Sequence, residues 1–112
     1  MLPVLCARHA DSGSYQRRAV LLEGLAVLGP HLGAVALEGE LLPLALTMAR
    51  DRVPNLRLIL AHSLQRASAH LSAGTLAGAV IPTLEELQRD EDLDVISAAR
   101  EALEVCLARA HG

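Results

Sequence analysis

The sequence predicts an all-α fold, an α-solenoid of three antiparallel helix pairs, and three observations predict it. The chain repeats itself at a step near 40 residues, its apolar positions recur at helical spacing, and its core contains almost no rings. Moved by 39 positions, 41–71 falls on 80–110: Pro43 meets Pro82, Arg50 meets Arg89, Asp51 meets Asp90 and Leu64 meets Leu103. Leu42 meets Ile81 and Leu56 meets Val95. An earlier copy keeps the same step, with Leu21, Leu25, Leu28 and Leu32 ahead of Leu60, Leu64, Ala67 and Leu71. Pro3 and Asp11 precede Pro43 and Asp51 by 40, a one-residue difference that a loop absorbs. A period of this length marks a two-helix unit that cannot cover its apolar face alone, so neighbours stack and share a core.

Composition agrees. Apolar residues make up 52 % of the 112, yet Tyr15 is the sole aromatic, so the core must come from Leu, Ala, Val and Ile. Such side chains suit close helix-on-helix packing. One domain, 1–112, is expected, with repeats at about 1–32, 33–72 and 73–112.

The first unit is expected to hold helices at about 2–10 and 14–28. The second is expected at 34–50 and 54–70. There Leu37, Leu41, Leu44 and Met48 form one helical stripe, and Leu56, Leu60, Leu64, Ala67 and Leu71 form the other. Arg50-Asp51-Arg52-Val53-Pro54 reads as the turn between them, with Pro54 suited to a first helical position. The third unit is expected at 74–89 and 94–109, carrying Val95, Ala99, Leu103, Cys106 and Ala110 as its stripe. Its turn, Asp90-Glu91-Asp92-Leu93-Asp94, places acids at the positive start of the helix that follows. Gly29-Pro30 and Ser72-Ala73-Gly74 separate one hairpin from the next. Proline inside a helix costs about 3 kcal/mol, so its recurrence at Pro3, Pro43 and Pro82 predicts a bend in each first helix. Gly24, Ser63 and Ala102 also keep the 39-residue step, where second helices are expected to pass closely.

The pattern Leu-Pro-(apolar)-…-Asp-…-Pro-Asn-Leu-Arg, as in Leu42-Pro43, Asp51 and Pro54-Asn55-Leu56-Arg57, resembles the HEAT repeat. The stretches 53–65, 76–84, 90–95 and 100–103 are similar to the last repeats of the protein phosphatase 2A scaffold (A) subunit family. Ser14-Tyr15-Gln16-Arg17-Arg18 resembles the turn of the repeat before them. The scaffolds of protein phosphatase 4 share much of the pattern.

The resemblance implies a non-catalytic scaffold that binds a serine/threonine phosphatase catalytic subunit along its ridge of intra-repeat turns. A regulatory subunit is a further candidate partner, and the setting is cytoplasmic or nuclear. Carried over, the ridge holds Ser14, Tyr15, Arg52, Val53, Pro54, Asn55, Glu91, Asp92 and Leu93. The resemblance also implies an Asp–Arg ladder between neighbours, drawn from Arg18, Asp51, Arg57 and Asp90, with Asp51 meeting Arg18 and Arg57. Ile96 stands where a third arginine is expected, which suits a terminal repeat. A generic HEAT adaptor for another protein is the alternative.

Other chemistries find less support. The net charge is −3, lysine is absent and no basic run exists, against a nucleic-acid surface. Cys6 and Cys106 form no C-x-x-C pair, so buried thiols in a reducing compartment are expected. No apolar run approaches the ~18 residues of a membrane span, and the start lacks the basic flank of a secretory signal. His62 and His70 stand two turns apart, and His9, His31 and His111 fall in turns or at the end, which predicts no metal site. Ser63 and Ser72 lie outside any G-x-S-x-G context, and Gly74 and Gly78 form no phosphate loop. No catalytic residue, cofactor or metal is expected. The acids of 85–94 read as a solvated turn or as a contact for a basic partner. Three repeats are close to the minimum for independent stability, which predicts a marginally stable chain.

Overall fold

A computed structural model describes the backbone of residues 3–31 and 33–111, and side chains from Tyr15 onward except at 26, 30, 32 and 34. Among the described residues the protein is all-α, with five helices and no strand. Helix α1 is Pro3–Leu28, followed by a 3-10 turn at Gly29–His31. Helix α2 spans 34–50, α3 spans 54–70, α4 spans 73–87, and α5 is Leu93–His111.

The first unit departs from expectation. Instead of two helices at 2–10 and 14–28, α1 runs unbroken through 11–14. The physical reason lies in what that stretch lacks. No proline follows Asp11, and Gly13 weakens a helix by only about 1 kcal/mol, too little to stop a propagating hydrogen-bond ladder. Pro3 correspondingly opens α1 and bends nothing inside it. The expected three helix pairs are thus two pairs preceded by one long helix.

The other four helices fall within two residues of their expected bounds, and their breaks share one chemistry. Asp51 leaves the helical region at φ −62°, ψ 139°, and Val53 is extended at φ −88°, ψ 112°. Extended backbone is what a residue before proline prefers. Asp51 Oδ1 accepts from Val53 N at 2.9 Å, and 39 residues on Asp90 Oδ1 accepts from Asp92 N at the same distance. Asp92 then caps α5, its Oδ1 accepting from Asp94 N at 2.9 Å and Val95 N at 3.1 Å. Ser72 caps α4 by accepting from Thr75 N at 3.2 Å.

Pro43 and Pro82 lie inside α2 and α4, each just beyond a π-helical turn, at Leu37–Leu41 and Leu76–Val80. The Leu42 N–H reaches Leu37 O and the Ile81 N–H reaches Leu76 O, five residues back instead of four. A proline ring collides with the carbonyl four residues earlier and brings no donor. Widening the preceding turn relieves both problems, so each proline costs less than in a regular helix. The costly residue and its remedy recur together.

Helix α3 lies between α1 and α5, α4 packs on α5, and α2 packs on α1 and, at 47–50, on α3 and α4. Leu22 and Leu25 of α1 join Leu37, Leu42 and Ala45 of α2, Leu56, Leu60 and Leu64 of α3, Val80 and Leu84 of α4, and Val95 and Ala99 of α5 in one continuous cluster. Ser63 and Ala102, small residues in step, are both buried in these contacts.

Candidate functional site

The two bends, 51–53 and 88–92, stand at the same end of the molecule and start the parallel helices α3 and α5. Arg57 ties them together. Its Nε and Nη2 donate to Asp90 Oδ2 and Oδ1 at 2.7 and 3.0 Å, a fork-to-fork pair, and its Nη1 donates to the Asp51 carbonyl at 2.6 Å. Its side chain is 15 % exposed and that of Asp90 11 %. The guanidinium holds the Asp90 carboxyl below the usual carboxylate range, and Asp90 raises Arg57 in return.

Arg18 stands to Asp51 as Arg57 stands to Asp90, with Nε 2.7 Å from Asp51 Oδ2. Among the described residues this Nε is buried without a hydrogen bond that meets ordinary geometry, so the contact is an ion pair without an aligned hydrogen bond. The ladder residues therefore form two rungs, Arg18–Asp51 and Arg57–Asp90, and Asp51 meets Arg57 through its backbone carbonyl alone. Ile96, where a third arginine was expected, is half-buried on α5.

The expected ridge residues divide. Val53, Pro54, Asn55 and Asp92 line one groove of about 330 Å³ between the bends. Arg52 and Glu91 are exposed beside it, and Leu93, in the first turn of α5, is 79 % exposed. Val53 is half-buried and packs against the core, so it anchors the bend as well as facing the groove. Tyr15 belongs to the middle of α1 and not to a bend, but its hydroxyl accepts a hydrogen bond from Asn55 Nδ2, which joins it to the start of α3. The Ser14 side chain lies outside the described residues.

One groove residue escaped the sequence reading. Leu58 lies one turn beyond Pro54 on the same face of α3, a spacing that signals it. Asp94, read from the sequence as part of the acidic stretch 85–94 and not among the ridge residues, also rims the groove. With Asp51 and Asp90 committed to arginines, Glu91, Asp92 and Asp94 leave this end acidic around an apolar floor of Val53, Pro54 and Leu58. Among the described residues, this groove brings no nucleophile beside a base. His62 is exposed while Ser63 is buried, and among the described residues no three His, Cys, Asp or Glu side chains converge as a metal site would require. The Cys106 thiol is buried, which pushes its pKa up. Among the described residues no helix is long and apolar enough to cross a membrane. No family model, curated protein or solved structure matches this chain.

Proposed function

We propose that this chain is a non-catalytic HEAT-type scaffold whose bends dock a serine/threonine protein phosphatase catalytic subunit. The observation that carries the reading is the doubled ladder: Arg18–Asp51 and Arg57–Asp90 pair at one sequence separation and hold consecutive units in step. A rigid row of bends is what a scaffold needs, because a preformed surface loses little freedom when a partner lands. The exposed side chains at that row fit docking. Leu93 supplies an apolar anchor, Pro54 and Leu58 supply a floor, and Arg52, Glu91 and Asp92 orient an opposing charged surface. The phosphatase assignment rests on the sequence resemblance; the acidic groove adds that the opposing surface is basic.

The test is affinity capture from cell extract with the tagged chain, comparing wild type with Arg52→Ala/Val53→Ala/Leu93→Ala. Recovery of a phosphatase catalytic subunit by wild type, its loss in the triple variant, and unchanged helicity support the proposal. Since Val53 also packs inward, the Arg52→Ala/Leu93→Ala double variant must lose the partner too. Equal phosphatase recovery by all three proteins overturns the docking site, and consistent recovery of a different protein instead points to a HEAT adaptor of another kind.

A further inference from the structure

We infer that the outer edge of α1 and α2 is a self-association face, on which a second copy of this chain docks about a two-fold axis. This rests on the packing of the repeat and not on the phosphatase reading. The stripe Arg17, Leu21, Gly24 and Leu28 on α1 corresponds, 39 and 78 residues on, to Leu56, Leu60, Ser63 and Ala67 of α3 and to Val95, Ala99, Ala102 and Cys106 of α5. All eight of those later positions are 0–3 % exposed. On α1, Arg17 is exposed, Leu21 and Gly24 are half-buried, and Leu28 is 49 % exposed. Beside them Val20 is 66 % exposed and Leu44 of α2 53 %, whereas a globular surface normally scatters its large apolar side chains singly. The strip holds two depressions, about 500 Å³ beside Arg17, Val20 and Leu21 and about 310 Å³ beside Leu28, Glu40 and Leu44.

The charges at its ends select the occupant. Arg17 closes one end and Glu40 the other, both exposed and neither in an ion pair among the described residues. A two-fold axis near Gly24 runs the paired α1 helices antiparallel. It sets Arg17 of each copy against Glu40 of the other and the leucines against one another, the self-complementary contact of an isologous dimer. Gly24 lies at the crossing, and a Cβ there would meet only Leu28 Cδ1, at 3.8 Å, so the side facing the other copy is open to close backbone approach. Head-to-tail stacking would set that strip against the far edge, where exposed Arg100 stands at the position at which Leu22 and Ala61 are buried, so the apolar seam would be interrupted at the joint.

The experiment is sedimentation equilibrium of the full chain across micromolar to millimolar concentration. The expected result is a monomer–dimer equilibrium between 11.9 kDa and twice that mass. Val20→Glu/Leu44→Glu, both at exposed positions, should leave a folded monomer. Arg17→Glu and Glu40→Arg should each raise the dissociation constant about tenfold or more by opposing like charges, and the double reversal should restore it. A monomer at every concentration, a ladder of higher masses, or a dimer indifferent to the charge reversals overturns the proposal.

Discussion

Replacing Arg57 with alanine tests the ladder where it is strongest. The guanidinium makes three hydrogen bonds, two to the Asp90 carboxylate and one to the Asp51 carbonyl. Hydrogen bonds to charged groups are worth about 1.5–3 kcal/mol each but are not additive, and breaking a fully buried pair costs about 3–5 kcal/mol. Some exposure of both side chains, and the bond Asp90 keeps from Asp92 N, place the cost toward the lower end. Arg57→Ala should therefore destabilise by about 3 kcal/mol, or about 12 °C in Tm for a domain of this size. Arg18→Ala removes one poorly aimed contact and should cost about 1 kcal/mol. Arg50→Ala breaks the exposed Arg50–Glu86 pair, whose loss is worth at most about 0.5 kcal/mol. Urea titration followed by circular dichroism at pH 7 measures all three, with an unchanged slope as the check that the unfolded states are comparable. A cost below about 1 kcal/mol for Arg57→Ala, or equal costs for Arg18→Ala and Arg57→Ala, refutes the reasoning.

Acid should loosen the same contacts. Hydrogen bonding from Arg57 holds Asp90, and the backbone N–H of Ser72 holds Glu38, below their ordinary pKa values. Near pH 4 the unfolded chain then binds more protons than the folded one, so this stabilisation is complete above the unfolded carboxylate range and is lost as pH falls through the folded values. Tm should drop between pH 5 and pH 3, and less steeply in Asp90→Asn; a pH-independent Tm would contradict the assignment. Gly78 is exposed and a Cβ there would meet nothing within 4 Å, so Gly78→Ala should stabilise by roughly 0.5–1 kcal/mol in chemical denaturation, and a loss of stability would contradict the description of that turn. Cys106 should react with a thiol reagent only as the protein unfolds, and fast labelling under native conditions would refute its burial.

How far the fold was legible depended on whether a feature repeats. The bends before α3 and α5 were readable because Asp51 and Asp90 recur in step and Pro54 marks the break. The stretch 11–14 has an aspartate and a glycine but no following proline, and nothing there outweighs continued helical hydrogen bonding. The π-turns left a trace that was missed: Leu37, Gly39, Leu42 and Pro43 recur as Leu76, Gly78, Ile81 and Pro82, and each glycine stands four residues before its proline. Contacts made only once left no such trace. Glu38, whose Oε2 accepts from Ser72 N at 2.6 Å, corresponds to Ala77, and Arg50–Glu86 likewise follows no repeat. Of the candidate site, the ladder residues and four groove residues were legible only through the resemblance of their surroundings to a known repeat, because no single side chain there announces a role. That Asp51 turns its carboxylate to Arg18 and its carbonyl to Arg57 depends on backbone direction at the bend, which side-chain identity does not encode.

The most direct test of a scaffold whose bends receive a phosphatase is a calorimetric titration of the purified chain with a purified serine/threonine phosphatase catalytic subunit. Saturable one-to-one binding, lost in Leu93→Asp and weakened in Arg52→Ala, is the outcome this account predicts. No binding heat, or an affinity that neither substitution alters, would contradict it.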